Sequence, residues 1–317
     1  MASLIVLVGL PGCGKSYYAN KYEDNKKTKI VSSDSIRKEL YGKEEEQGDP
    51  NKVFKIMYNR TLNYLKEGFN VIYDATNIIM KKRYNLVHSL KDSLRGKKIT
   101  YKCLVWAVSY DCCLYQNNKR DRKVPEEVIQ RMYYNFEFPL KSEGWDTIKV
   151  ITADKLTPIA EEYSYNLDLQ LDALYHTKVD HDTPYHKVDL TSHMLLSASY
   201  LSKIVNNKHI KFAWKTYRNL YIALTLHDIG KFKTKTFKDN IAHYYNHENV
   251  GAYDLMCIGQ EGINTNSKDF MNIIRYINYH MRPFTWSAKT REKYFSDISD
   301  ELDFLHYCDI HCEETIV

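Results

Sequence analysis

Gly9-Leu10-Pro11-Gly12-Cys13-Gly14-Lys15-Ser16 constrains the fold of this chain more than any other stretch. The string fits G-x-x-x-x-G-K-[ST]. It follows an apolar run, Leu4 to Val8, and leads into a segment of helical pattern, Lys15 to Tyr22. In that setting of strand, glycine turn and helix start, backbone N–H groups converge on phosphate oxygens and the helix N-terminus adds a favourable dipole. Gly9, Pro11, Gly12, Cys13 and Gly14 would form the cradle. Lys15 would reach the β- and γ-phosphates, and the Ser16 hydroxyl would hold Mg2+. A glycine turn with no ligand is the bland alternative, and the flanking strand and helix argue against it. Binding of a nucleoside triphosphate, ATP with Mg2+, is therefore expected.

The chain is 317 residues long, about twice the usual domain length, so two domains are expected. A net charge of +5 is mildly basic, which nucleic acid tolerates but does not require. Seven cysteines without a C-x-x-C pair suggest neither a disulfide framework nor a structural zinc site, and a reducing cytoplasm fits that usage. The opening apolar run is too short for a signal sequence or a membrane span, so no membrane association is expected.

Apolar runs at Leu4 to Val8, Lys29 to Val31, Asn70 to Tyr73, Ile99 to Val108 and Thr147 to Ile151 read as strands. Between them lie amphipathic stretches, so the first part, residues 1–155, is expected to be a parallel sheet covered by helices on both faces. Long helical patterns then take over at His186 to Val205, Phe212 to Leu226, Phe270 to His280 and Asp300 to Cys312. Residues 170–317 read as a separate all-α domain, with the junction near 155–175.

Chemistry-bearing residues fall at the ends of the expected strands. Asp34 and Arg37 follow the second strand in Ser32-Ser33-Asp34-Ser35-Ile36-Arg37. There Asp34 could take a proton from an attacking hydroxyl and Arg37 could hold an acceptor phosphate. The bland reading makes Ser33 or Asp34 the cap of a helix starting at Ser35. Asp74 ends the third strand, where P-loop enzymes keep a carboxylate near Mg2+. Lys119, Arg120, Arg122 and Lys123 crowd into a basic turn just before a helix expected near Pro125. Arg120 and Arg122 are candidates for a lid that stabilises transferred phosphoryl charge; a solvated basic turn is the alternative.

Together, the P-loop, S-x-D-x-x-R, D-A-T-N and R-x-R-x-V-P-E-E strings resemble the polynucleotide 5′-kinase group of P-loop phosphotransferases. The likeness covers roughly residues 1–150, and relatives act on RNA or DNA 5′-hydroxyls, tRNA-linked serine, sugars or nucleotide-sugars. It implies Asp34 as general base, Arg37 on the acceptor phosphate, and Arg120 or Arg122 as the lid arginine on the donor. The lid spacing differs from that of the best-known phage enzyme, which leaves the choice between the two open.

The second half holds His193, His227-Asp228, Lys231, His243, His247, His280 and Asp309. Imidazoles and carboxylates suit first-row divalent metals, and helices can aim them at one pocket. The dipeptide alone is weak, because His181-Asp182 repeats it. The ordered set, with His227-Asp228-Ile229-Gly230-Lys231 and His247-Glu248-Asn249-Val250-Gly251-Ala252, resembles the HD phosphohydrolase superfamily over roughly residues 180–312. The resemblance implies one ion held by His193, His227, Asp228 and Asp309, and a second completed by His247 and His280 with Asp228 bridging. The ions would be Mn, Zn, Ni or similar, and Lys231 would contact the scissile phosphate. His181, His186 and His243 are left as substrate contacts or surface residues.

A phosphate-adding domain joined to a phosphate-removing one makes sense if the two act on different ends of broken RNA or DNA. The pairing resembles bifunctional end-healing enzymes that phosphorylate a 5′-hydroxyl and clear a 2′,3′-cyclic phosphate or 3′-phosphate, preparing ends for a separate ligase. In the best-known of those the phosphatase precedes the kinase; here the order is reversed. Two alternatives stay open: a small-molecule or nucleotide kinase fused to a nucleotide phosphohydrolase, and an ATP-dependent RNA-binding sensor with a silent HD domain. Some of the 27 tyrosines could stack on bases, although packing accounts for most tyrosines.

Overall fold

The computed structural model describes residues 1–22, 25–44, 46–152, 179–183, 187–208, 212–258 and 264–315. The junction expected near 155–175 and His186 lie outside them. The chain divides into two compact units: one holds Met1–Met132 and the segment from Pro139, the other Tyr133–Phe138 and the later helices.

The first unit is a five-stranded parallel sheet in the order β2-β3-β1-β4-β5. Its strands are β1 (Ala2–Val8), β2 (Thr28–Ser32), β3 (Asn70–Asp74), β4 (Ile99–Ala107) and β5 (Thr147–Thr152). Leu4, Val6, Leu7 and Val8 of β1 are all fully buried, as a central parallel strand covered on both faces requires. The helices are α1 (Lys15–Asn20), α2 (Ser33–Tyr41), α3 (Pro50–Lys66), α4 (Met80–Ser93), α5 (Tyr110–Asn118) and α6 (Glu126–Tyr134). Local chemistry starts several of them. Asp49 accepts from Asn51 N and Pro50 opens α3, whose buried Val53, Met57, Thr61 and Leu65 recur every fourth residue. Ser109 caps α5 by accepting from Cys112 N.

Helix α2 begins at Ser33, with Ser32 as its N-cap residue. The expected start at Ser35 is therefore two residues late. Neither Ser33 nor Asp34 is the cap; Asp34 lies in the first turn, where the helix dipole favours a carboxylate.

A buried ion pair ties the first unit together behind the P-loop. Arg83 Nε and Nη2 donate to Glu143 Oε2 and Oε1, each at 2.8 Å. Arg83 Nη1 also donates to Asn77 O at 2.9 Å. Asn77 in turn donates from Nδ2 to Leu7 O, 2.8 Å away at the end of β1.

The second unit is built on α7 (Leu190–Lys208), α8 (Trp214–Leu226), α9 (Lys231–Thr234), α10 (His247–Ile258), α11 (Lys268–Tyr279), α12 (Ala288–Phe295) and α13 (Ser299–His311). It is helical, with one correction to the all-α expectation. Strands β6 (Lys235–Lys238) and β7 (Ile241–Tyr244) form an antiparallel hairpin. Its turn residues Asp239 and Asn240 have φ of 52° and 63°, the left-handed pair that a two-residue hairpin turn requires. An Asp-Asn step between K-T-F-K and I-A-H-Y was the signal for it.

Tyr133–Phe138 belongs to this unit, although the sequence placed it within the first span, residues 1–155. Buried amides hold its backbone. Asn278 Oδ1 accepts from Phe138 N at 2.6 Å, Asn278 Nδ2 donates to Phe136 O at 3.2 Å, and Asn249 Nδ2 donates to Tyr134 O at 2.9 Å. Among the described residues, no helix is long and apolar enough to cross a membrane. All seven cysteines are buried free thiols.

Candidate functional site

In the first unit, the candidate residues gather at the C-terminal edge of the sheet, where parallel α/β folds bind ligands. The Gly9–Ser16 loop joins β1 to α1. Gly12 has φ of 87°, and a Cβ there would sit 2.2 Å from Cys113 O, so only glycine fits. Lys15 Nζ, buried in the loop, donates to Gly9 O at 2.8 Å and Leu10 O at 2.7 Å. It lies 3.4 Å from Cys13 Sγ. Its charge is thus pre-positioned by the loop's own carbonyls. Ser16 Oγ donates to Asp74 Oδ2 at 2.9 Å. Burial pushes the Asp74 carboxyl up, partly offset by Lys15, Ser16 and Arg120. A hard divalent cation would suit this hydroxyl–carboxylate pair, because it would restore the charge balance that burial disfavours.

Asp34 is held by two guanidinium groups. Arg37 Nη1 donates to Oδ1 at 2.9 Å, and Arg122 Nη1 lies 2.6 Å from Oδ2. Arg120 is exposed on the same basic turn. Of the two arginines that the sequence left as alternatives, Arg122 meets the Asp34 carboxylate. Arg83 and Glu143, which steady Asn77 of the D-A-T-N string, escaped the sequence reading. No local pattern marks two residues that pair across 60 positions.

In the second unit, six candidates from five helices or helix ends converge. His193 comes from α7, His227 and Asp228 from the end of α8, His247 from the start of α10, His280 from the end of α11 and Asp309 from α13. Asp228 lies at the centre. Its Oδ1 is 3.0 Å from His247 Nε2 and 3.7 Å from His280 Nε2. Its Oδ2 is 3.5 Å from His227 Nε2, 3.7 Å from His193 Nε2 and 2.6 Å from Lys231 Nζ. Asp309 Oδ1 faces His193 and His227 at 2.9 and 3.2 Å. The two oxygens of one carboxylate thus look toward two different imidazole sets. Within each of the groups His193-His227-Asp228 and Asp228-His247-His280, the ligand atoms lie within 4.8 Å of one another.

Close backbone packing makes this convergence. A Cβ on Gly230 would sit 1.9 Å from His247 O, and one on Gly251 would sit 2.9 Å from Ile229 Cγ2. The two glycines let the His227–Lys231 turn press against the first turn of α10, bringing Asp228 to His247.

The donor set fits a metal. Three imidazoles donate Nδ1–H to the carbonyl three residues back: His227 to Leu224 O at 2.7 Å, His247 to Tyr244 O and His280 to Ile277 O at 2.8 Å. That fixes the tautomer and aims each Nε2 lone pair inward, as in metal-ligating histidines. The His227 Nε2 is fully buried with no aligned hydrogen bond. His247 Nε2 and His280 Nε2 stand 3.2 Å apart, an arrangement that needs a cation between or beside them. Burial opposes charge on His193, yet Asp309, Cys312 and Asp228 raise its pKa to about 10. Burial likewise opposes charge on His247, but Asp228 raises it, while burial and its neighbouring imidazoles lower His280. Burial alone would push Asp228 and Asp309 up, but the surrounding cations and imidazoles hold both well below the usual carboxylate range.

His181, left between substrate contact and surface residue, is buried with its ring 5.5 Å from that of His193. His243 is half-buried and stacks on Tyr245 at 5.4 Å.

Residues 4–139 match the sequence profile of the family described as AAA domain. The first unit is a P-loop kinase-type domain. The chain is 28% identical over 218 residues to the L-seryl-tRNA(Sec) kinase of Methanococcus maripaludis, covering 64% of this chain and 79% of that protein. Among solved structures, a chain of the Pnkp1/Rnl/Hen1 RNA repair complex matches 41% of this chain and 42% of its own length, at 22% identity and a TM-score of 0.36. The Deinococcus radiodurans tunicamycin resistance protein matches 46% of this chain and 88% of its own, at 15% identity and a TM-score of 0.32. This chain therefore spans less than half of the repair-complex chain it matches.

Proposed function

We propose that the chain heals broken polynucleotide ends. The P-loop kinase-type unit transfers phosphate from ATP to a 5′-hydroxyl, and the helical unit is an HD phosphohydrolase that clears a 2′,3′-cyclic phosphate or 3′-phosphate. The observation that carries the reading is Asp228, whose two oxygens face separate imidazole sets, in a chain that also holds a P-loop and the Asp34–Arg37–Arg122 cluster.

In the first unit the loop amides and Lys15 hold the β- and γ-phosphates, and Ser16 with Asp74 is the place for Mg2+. Arg37 holds an acceptor phosphate. Asp34 accepts the proton of the attacking hydroxyl once Arg122 leaves its carboxylate for phosphate oxygens, since a base needs an open oxygen. In the second unit His193, His227, Asp228 and Asp309 would hold one ion, and Asp228, His247 and His280 a second. When bound, such ions activate water and neutralise phosphoryl oxygens. Lys231, 2.6 Å from Asp228 Oδ2, is placed to bind the phosphate.

A second acceptor follows from the Methanococcus relative, which by its name acts on seryl-tRNA. Both acceptors are hydroxyls carried on RNA. The test incubates the protein and γ-labelled ATP with a 5′-hydroxyl oligonucleotide, seryl-tRNA, and free nucleosides and sugars. In parallel, a 3′-phosphate oligonucleotide is supplied with Mn, Zn or Ni and no ATP. Label on the oligonucleotide, with 3′-phosphate loss abolished by Asp228→Ala and kept in Lys15→Ala, is the expected result. Label on seryl-tRNA alone selects the second acceptor. Label on nucleosides or sugars alone, or cleavage of free nucleotides but no 3′ end, overturns the end-healing reading.

A further inference from the structure

One face of the β6–β7 hairpin carries a row of alternating cations and rings that starts at Asp228. Lys231 Nζ, beside Asp228, lies 5.4 Å from the centroid of the Tyr244 ring. Tyr244 pairs across the hairpin with Lys235, and Ala242 with Phe237, so Tyr244, Lys235 and Phe237 share a face. Lys235 Nζ lies 5.6 Å from the Phe237 centroid. Phe237 is 62% exposed.

The base of this row is fixed and its tip is open. Tyr244 OH donates to His181 O at 2.6 Å, Ala242 N to Asp182 O at 3.0 Å, and Lys235 Nζ to Asp182 Oδ2 at 2.5 Å. Beyond Lys235 the hairpin shows Phe237, Lys238 and Ile241 to solvent. A two-stranded hairpin gains little stability from such a tip. Both strands also run directly into the centre: β6 follows the helix that starts with Lys231, and β7 leads through Tyr245 and Asn246 to His247.

We infer that this face binds single-stranded oligonucleotide, with the terminal phosphate at Lys231, the preceding phosphate near Lys235, and a base stacked on Phe237. Charge complementarity names the occupant. The segment Lys231–Tyr244 holds four lysines and one acidic residue, Asp239. Lys231, Lys233 and Lys235 pair with Asp228, Asp254 and Asp182 from outside it, and the row in which Lys231 and Lys235 alternate with the Tyr244 and Phe237 rings matches a chain of phosphates and bases. A free mononucleotide ends before Phe237, so this ring sets the preference for a polymer. The inference rests on the reading of the Asp228 centre as a phosphohydrolase.

Two measurements on the full-length protein test it. The first is anisotropy of a 5′-fluorescein, 3′-phosphate RNA hexamer, whose label also blocks its 5′ end. The second is the ratio of kcat/KM for the hexamer to kcat/KM for bis(p-nitrophenyl) phosphate in metal-loaded protein. Phe237→Ala is expected to weaken hexamer binding by roughly tenfold, within the range of lost base–aromatic stacking, and to lower the ratio similarly. Phe237→Trp should restore both. Hexamer binding unchanged in Phe237→Ala, or absent in the wild type, overturns the inference. If no metal supports hydrolysis of the small ester, the phosphohydrolase reading falls, and anisotropy alone then judges the hairpin.

Discussion

Arg122 Nη1 lies 2.6 Å from Asp34 Oδ2, and its Nη2 lies 3.2 Å from Oδ1, where Arg37 also donates. Both oxygens of this carboxylate are thereby engaged. In the proposed phosphotransfer, Asp34 would serve as base only after phosphate oxygens draw the Arg122 guanidinium away, which would couple substrate arrival to its release.

Removing that side chain should act on the acceptor more than on ATP. Arg122→Ala is expected to raise the KM for a 5′-hydroxyl oligonucleotide by about tenfold to a hundredfold, the scale of a lost charge-assisted hydrogen bond, with ATP affinity little changed. Two-substrate kinetics check this, and a loss of ATP affinity in Arg122→Ala with an unchanged acceptor KM would contradict it.

Gly230→Ala should damage the second unit's centre without touching any ligand atom. The added Cβ would sit 1.9 Å from His247 O, so the turn bearing Asp228 must move off α10. Metal content after dialysis, read by elemental analysis, should fall well below that of the wild type. Phosphorylation of 5′ ends should persist. Full metal occupancy in the variant would show that the contact is dispensable.

Metal binding should release protons. Below about 10 the His193 imidazole carries a proton in the metal-free chain, and a metal must displace it. Raising the pH toward that value removes the competitor, so apparent affinity should strengthen, by about tenfold per unit for each proton displaced. Calorimetric titration in buffers of different ionisation enthalpy counts those protons. The same linkage predicts that chelation lowers the melting temperature, because ions that bind the folded chain stabilise it. Affinity independent of pH would remove His193 from the ligand set.

The Arg83–Glu143 pair is 1% and 0% exposed, so breaking it strands a buried charge. Arg83→Met is expected to cost about 3–5 kcal/mol of stability, and Arg83→Met with Glu143→Leu to recover much of that loss. Urea unfolding of both variants measures it. Equal losses in the single and double variants would mean that packing, rather than charge, sets the cost.

The sequence alone determined what short windows can encode. The P-loop string, five apolar runs at strand length, and the caps and fourfold periodicity of α3 act between residues a few positions apart, so the covalent chain itself carries the signal. His227-Asp228-Ile229-Gly230-Lys231 was legible for the same reason, although why glycine stands at 230 became clear only from the close approach of His247. The Asp239-Asn240 hairpin lay just as open to local reading, but short strands were outweighed by the helical patterns around them. Tertiary structure alone decided the rest. Asp309 meets His193 across 116 positions, Asn278 holds Phe138 across 140, and Arg122 rather than Arg120 reaches Asp34 across 88. Nothing local distinguishes such partners, because their pairing depends on how helices pack and how the basic turn folds. Burial then supplies what no string states: it removes competing water and makes each unpaired charge costly, so that distant carboxylates, imidazoles and guanidinium groups settle together.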